Sequence, residues 1–202
     1  MNFRLFVEKK EKYNVEASNL LEDLKENLNL KTLENISIIN IYDIFNIEKR
    51  DLGNAKNIVF SEITVDNVWE EMDLKGEKWF AVEYLPGQYD QRADSAVQCL
   101  NLLSKKNRNV SVKSGKLVIL NGNLSNEEII KIKKYYINEI EMKEKYLDVL
   151  EENIETENKV RNIIGAIITV ILIIVEFVLV INIKDSKSFT TNVPIAFFAS
   201  LI

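Results

Sequence analysis

Apolar and polar positions alternate and then recur at helical spacing along most of this chain. Phe3, Leu5 and Val7 alternate with polar residues and predict a first strand. Asn14 is placed to cap a helix whose apolar face is Ala17, Leu20, Leu21, Leu24 and Leu28. Residues 36–45 are β-branched and aromatic and predict a long second strand. A short helix over 48–60 follows, weakened in its middle by Gly53. Residues 64–71 predict another helical turn or two, anchored by Trp69. From Trp79 to Leu85 a strand runs into Pro86-Gly87, which opens a turn. Asp90 is the expected N-cap of the next helix, with Ala93, Ala96, Val97, Leu100 and Leu103 on its buried face. Residues 110–120 predict a further strand, with a bulge or bend at Ser114-Gly115. After a turn at Asn121-Gly122-Asn123, Ser125 and Glu128 form a capping box for a helix reaching about Tyr136.

The two halves of this pattern repeat. Tyr13, Asn14, Ala17, Leu20, Leu21 and Leu24 recur 76 positions later as Tyr89, Asp90, Ala93, Ala96, Val97 and Leu100. Phe6-Val7-Glu8 answers Ala81-Val82-Glu83 at an offset of 75, and Lys56 with Ser61-Glu62-Ile63 answers Lys133 with Asn138-Glu139-Ile140 at 77. Each half alone would expose one apolar sheet face, so the halves should share a sheet and a core. The expected fold class is α+β: tandem-duplicated strand–helix–strand units in a small, mostly antiparallel sheet with helices on one face. A pseudo-twofold is expected to pair the helix at Ala17–Leu28 with that at Ala93–Leu103 as equivalent elements.

Composition changes the picture beyond residue 140. Residues 141–162 are charged, lack Gly and Pro, and read as a linker or exposed helix. Residues 163–183 are almost entirely apolar and long enough to span a bilayer. Glu176 within them costs ~2.5–3.5 kcal/mol at the centre of a membrane helix, which the surrounding aliphatic residues outweigh. Residues 184–202 read as a polar loop and the start of a second apolar segment. The expected organisation is therefore a domain over 1–140, a linker over 141–162 and a transmembrane helix over 163–183. Lys143, Lys145, Lys159 and Arg161 precede the apolar run and only Lys184 and Lys187 follow it, which favours a cytoplasmic domain.

The candidate chemistry is sparse. A net charge of −5 disfavours a general nucleic-acid binder. With no histidine, His-based acid/base, nucleophile and metal schemes are excluded, and the single cysteine, Cys99, permits neither an internal disulfide nor a Cys-ligated metal cluster. Cys99 lies on a predicted helix with no histidine to activate it and reads as a structural thiol. Six glycines in the whole chain leave little room for a phosphate-binding loop. Gln88, Gln91, Arg92, Asp94, Ser95 and Gln98 form a dense set of hydrogen-bonding side chains beside a strand end and a helix start that suit a polar or anionic ligand.

The string Glu83-Tyr84-Leu85-Pro86-Gly87-Gln88-Tyr89-Asp90-Gln91-Arg92-Ala93-Asp94-Ser95-Ala96 closely resembles a motif in the N-terminal domain of phosphoribosylformylglycinamidine synthase, a glutamine- and ATP-dependent amidotransferase of purine biosynthesis. The resemblance runs from about Phe3 to Val160. It includes Phe6-Val7-Glu8-Lys9-Lys10, Val15-Glu16-Ala17, Tyr42-Asp43 and Val59-Phe60-Ser61-Glu62. It implies a non-catalytic scaffold resembling two fused copies of a small accessory subunit, packed beside synthetase and glutaminase domains and helping to form the substrate cleft and ammonia passage. Gln88, Asp90, Gln91, Arg92 and Ser95 are the residues expected at that cleft or interface, with no catalytic residue and no metal ligand. ATP and magnesium belong, on this resemblance, to the synthetase domain, and the chain itself is expected to hold no cofactor. The resemblance stops near Arg161, where an apolar segment replaces the family's soluble continuation. A rearranged fragment and a membrane-tethered binding module that reuses the fold both account for that change.

Overall fold

The computed structural model describes residues 1–103, 109–148, 150, 168, 169 and 171. The chain divides into two compact units, residues 1–151 and 152–202, and the first carries the fold. Its elements are β1 (Phe3–Lys9), α1 (Val15–Leu28), β2 (Leu33–Phe45), α2 (Lys49–Ala55), a π-helical turn (Lys56–Phe60), β3 (Asp66–Trp69), β4 (Lys78–Tyr84), α3 (Gln91–Leu103), β5 (Ser111–Gly122), α4 (Asn126–Tyr136) and β6 (Met142–Glu144). The fold is α+β. Six strands form one sheet in the order β3-β1-β2-β5-β4-β6, and every neighbouring pair is antiparallel.

That order reads the same from either edge once the halves are equated. Phe3 faces Ile44 in the first half and Lys78 faces Leu120 in the second, offsets of 75 and 76. At the edges Lys9 faces Asp66 and Tyr84 faces Met142, again 75 and 76. Asn40 pairs with Lys116 across the central β2–β5 ladder, 76 positions apart. A residue that faces its own equivalent lies on a twofold axis, so the pseudo-symmetry axis passes between these two.

The helix offset explains the 77 seen in the sequence. Leu52 and Ala55 are buried on α2 where Ile129 and Ile132 pack on α4. The π-helical turn then takes up one extra residue, as such turns do, and the register returns to 76 by β3. The turn before each edge strand follows: the carbonyl of Glu62 accepts from Val65 and Asp66, and that of Asn138 from Glu141 and Met142. Glu62 therefore answers Asn138 at 76, and the pairing of Ser61 with Asn138 is corrected.

Among the described residues, all four helices lie on one sheet face. α1 and α4 cover Ile36, Ile38, Phe80, Val82, Val118 and Leu120, whereas α3, α2 and the π-helical turn cover Leu5, Val7, Tyr42, Ile44 and Val112. α1 and α3 occupy equivalent places, but each takes its main helical neighbour from the other half: α1 packs on α4, and α3 on the π-helical turn. The twofold pairing of α1 with α3 expected from the 76-residue register is the one that the sheet order gives. Phe6, Ile39, Ile41, Ala81 and Leu117 form a third cluster on the opposite face, joined by Met72, Leu74 and Leu147.

Four local expectations change. Residues 66–69 are an edge strand, not a helical turn: Asp66 and Val68 face inward while Asn67 is exposed, and β1 supplies the ladder. Trp69 is a half-exposed edge residue instead of an anchor. β5 runs straight through Ser114-Gly115, and the register shift falls between Leu33 and Asn35. Gly115 serves a close approach, since a Cβ there would meet the Val82 carbonyl oxygen at 2.6 Å. Leu103 is exposed, the buried face of α3 being Ala93, Ala96 and Leu100.

The first residues of the expected linker belong to the sheet. Met142–Glu144 form β6, and the Lys145 amide donates to the Ala81 carbonyl at 2.8 Å. The apolar run 163–183 lies outside the described residues apart from Ile168, Thr169 and Ile171. Among the described residues no helix is long and apolar enough to cross a membrane.

Candidate functional site

The β4–α3 junction is built by a cap and a turn. Gly87 adopts φ +87°, open to glycine at little cost, and the Gln88 amide donates to the Leu85 carbonyl at 3.0 Å. Asp90 then caps α3: Oδ1 accepts from the Ala93 amide at 2.9 Å. Asn14 does the same for α1, accepting from the Ala17 amide at 3.3 Å. Asp90 does more, because its carboxylate also accepts from the Ser114 hydroxyl and amide, both at 2.8 Å. It ties the helix start to the middle of β5.

This difference between equivalent caps is measurable. Asn14→Ala should cost about 1 kcal/mol, the usual loss of a helix cap. Asp90→Ala should cost about 2–4 kcal/mol, because the buried Ser114 amide and hydroxyl also lose their acceptor. Urea unfolding of both variants checks this, and equal losses would show that the Ser114 bonds contribute nothing.

Of the five predicted site residues, three come together. Gln91, Arg92 and Ser95 line a depression of about 440 Å3 with Tyr42, Val59 and Tyr84. A smaller one, about 130 Å3, shares Arg92 and Tyr84 with the first; Ser114, Lys116 and Tyr136 line it. Asp90 is consumed by its structural bonds. Gln88 points away, its Nε2 donating to the Ile140 carbonyl at 3.2 Å. Asp94 sits on the helix flank and accepts from the Tyr89 hydroxyl at 2.9 Å and from Gln98 Nε2 at 2.8 Å. That bond raises the pKa of Tyr89.

Arg92 is the centre of the arrangement. Its Nη1 donates to the Tyr42 hydroxyl at 3.2 Å. Burial works against its charge, yet the Tyr42 bond and the nearby carboxylates of Glu16 and Asp90 outweigh that and leave its pKa raised. Neither carboxylate pairs with it. Glu16 is bonded to the Lys116 ammonium, and Asp90 to Ser114. Among the described residues no ion pair engages Arg92, so its remaining N–H donors are available to an oxyanion. The Tyr136 hydroxyl stays protonated at neutral pH, its pKa pushed up to about 12 by burial, with Glu16 and Tyr84 adding to it.

Pattern reading missed Tyr42, Tyr84, Lys116 and Tyr136. Tyr42, Lys116 and Tyr136 sit on strands and a helix that reach the site only through long-range pairing, whereas Tyr84 ends the strand that leads into α3. Cys99 is exposed and lines the larger depression, so it is not a buried structural thiol: the helix turns Ala96 and Leu100 inward and leaves Cys99 outside.

A further depression, about 720 Å3, lies along α1 and holds none of the predicted residues. Glu8, Glu22, Lys25 and Glu26 are among its lining. Burial raises the pKa of Glu8, opposed by its bond with Ser37. Among the described residues no group of three or more His, Cys, Asp or Glu side chains could hold a metal ion. In comparisons with known proteins, no family model matches the chain and no curated protein matches it.

Proposed function

We propose that this chain is a non-catalytic scaffold and docking domain of the kind that opens phosphoribosylformylglycinamidine synthase, the ATP- and glutamine-dependent amidotransferase of purine biosynthesis. One observation carries the reading: a two-copy sheet with an axis between Asn40 and Lys116 fits the two fused accessory-subunit copies that the resemblance of residues 83–96 implies. The partners are then synthetase and glutaminase domains, which supply ATP, magnesium and the thiol nucleophile. The chain contributes Arg92, with Gln91 and Ser95 beside it, at the face turned to them. Gln88 and Asp90 hold the loop and the helix start so that Arg92 is aimed. On its own the chain neither hydrolyses ATP nor releases ammonia from glutamine.

The test places this domain, with Arg92→Ala, in a full-length enzyme of that family. Glutamine-dependent turnover should fall about tenfold or more, the scale of a lost charge-assisted hydrogen bond. The melting temperature should barely move, because among the described residues the Arg92 guanidinium has only the Tyr42 bond to lose. Unchanged turnover, or a loss matched by unfolding, refutes the role of Arg92.

A second reading rests on the apolar composition of residues 163–183: a membrane-tethered binding module built on the same fold, its domain cytoplasmic. Partitioning of the full chain into detergent or lipid, against solubility of a chain ending at residue 158, separates the two.

A further inference from the structure

We infer that the exposed stripe of α3 from Arg92 to Leu102 docks a segment of a partner protein that carries an acidic side chain at one end and an apolar side chain about 15 Å away. The inference rests on the docking reading above and names the face and the partner chemistry.

Arg92, Ser95, Cys99 and Leu102 follow one another at helical spacing on α3. Arg92 brings a cation with no carboxylate partner among the described residues, and charge complementarity calls for an acid there. Ser95 and Cys99 are small, and the depression above them, about 440 Å3 and walled by Val59 and Tyr42, leaves room for a side chain or backbone to approach. At the far end Leu102 is 87% exposed, and Leu103 beside it is 46% exposed. The equivalent stripe on α1 differs in kind. There Glu16 stands where Arg92 does and is neutralised by Lys116. The pseudo-symmetry therefore gives the domain one such face, not two. A free small oxyanion would use Arg92 but would leave Leu102 without a role, which is why a protein segment is favoured.

Cys99 is the only cysteine of the chain and lies inside the stripe, so its alkylation rate reports cover. The rate is measured by mass spectrometry of the Cys99 peptide, in the full chain alone and in a full-length amidotransferase carrying this domain in place of its own. Cover should slow alkylation about tenfold or more, the scale set by a docked state held with at least 1.4 kcal/mol. Arg92→Ala and Leu102→Ser should each return the rate most of the way to that of the chain alone. Inorganic phosphate and free glutamate at millimolar concentration should leave the rate in the chain alone unchanged. Equal rates in both contexts, while the chimaera turns over glutamine, would overturn the inference and leave the docking reading standing. A folded chimaera without turnover and without protection would remove both. Protection of the chain alone by phosphate or glutamate, lost in Arg92→Ala, would replace the docked segment with a small-molecule oxyanion.

Discussion

Lys145→Met is expected to destabilise the domain by about 1–3 kcal/mol, the cost of taking one charge-assisted partner from carboxylates that keep Arg4 and Lys143. Lys145 is 7% exposed and reaches two acids: Asp43 Oδ2 at 2.7 Å and Glu83 Oε2 at 2.5 Å. Asp43 is held from its other side by Arg4, whose Nε donates to Oδ1 at 2.5 Å and Nη2 to Oδ2 at 3.1 Å. Arg4 also donates to the Leu147 carbonyl. Two bases and two acids thus close a chain of charges on the sheet face away from the helices, with the backbone after β6 drawn onto it. Methionine keeps the aliphatic stem that lies over Gly115 but removes the ammonium, so the loss reports the charge and not a cavity. Lys143→Met is the control. Lys143 is 41% exposed at its side chain and lies 3.4 Å from Glu83, so it should cost less than about 1 kcal/mol. Guanidinium unfolding midpoints compare the two. A Lys145→Met loss no greater than that of Lys143→Met would mean that water reaches Asp43 and Glu83.

That network was not legible in the sequence. Arg4, Asp43, Glu83 and Lys145 are separated by tens of positions and meet only because β1 pairs with β2, β4 with β6, and β5 with both β2 and β4. Pattern reading places strand charges at the surface by default. One signal was present: Asp43 stands inside the apolar run of residues 36–45, where an unpaired carboxylate would be costly. It marks a buried partner without saying which one.

Elements with strong periodicity were legible. β1, α1, β2, β4, α3 and α4 follow from alternation, apolar faces and side-chain caps at Asn14, Asp90 and Ser125. β3 was not, because it has four residues, and its inward positions are Asp66 and Val68. Asp66 earns its place through Lys9, 2.8 Å away, which no local pattern reveals. At the site, the junction and its cap were legible, since both are local. The split of roles was not. Whether a loop side chain is spent on structure depends on Ser114 and on the Ile140 carbonyl, both remote in sequence.

Gly122→Ala is the other large effect, expected at about 3–4 kcal/mol. Two causes act together. Gly122 has φ +138°, a conformation that residues with a side chain rarely adopt. Its missing Cβ is also what lets the chains approach: a Cβ there would lie 2.1 Å from the Thr32 carbonyl oxygen and 3.0 Å from the Glu34 amide nitrogen. Both obstacles are backbone, so neither can rotate away. Gly122 faces Leu33 beside the register shift at Leu33/Asn35, where β2 begins. Displacing Thr32 and Glu34 would unseat Leu33, which is 1% exposed in the cluster under α1 and α4. Gly87→Ala separates the two causes. It has φ +87° but nothing within 4 Å of the added carbon, so it should cost only the conformational term, about 1–2 kcal/mol. Gly53→Ala, in the interior of α2 with open space around it, should stabilise by about 0.5–1 kcal/mol. The order Gly122 worst, Gly87 intermediate and Gly53 favourable is read from three urea curves. A Gly122→Ala variant no less stable than Gly87→Ala would mean that the 31–34 backbone yields freely and that the end of the central ladder is not held where the bulge places it.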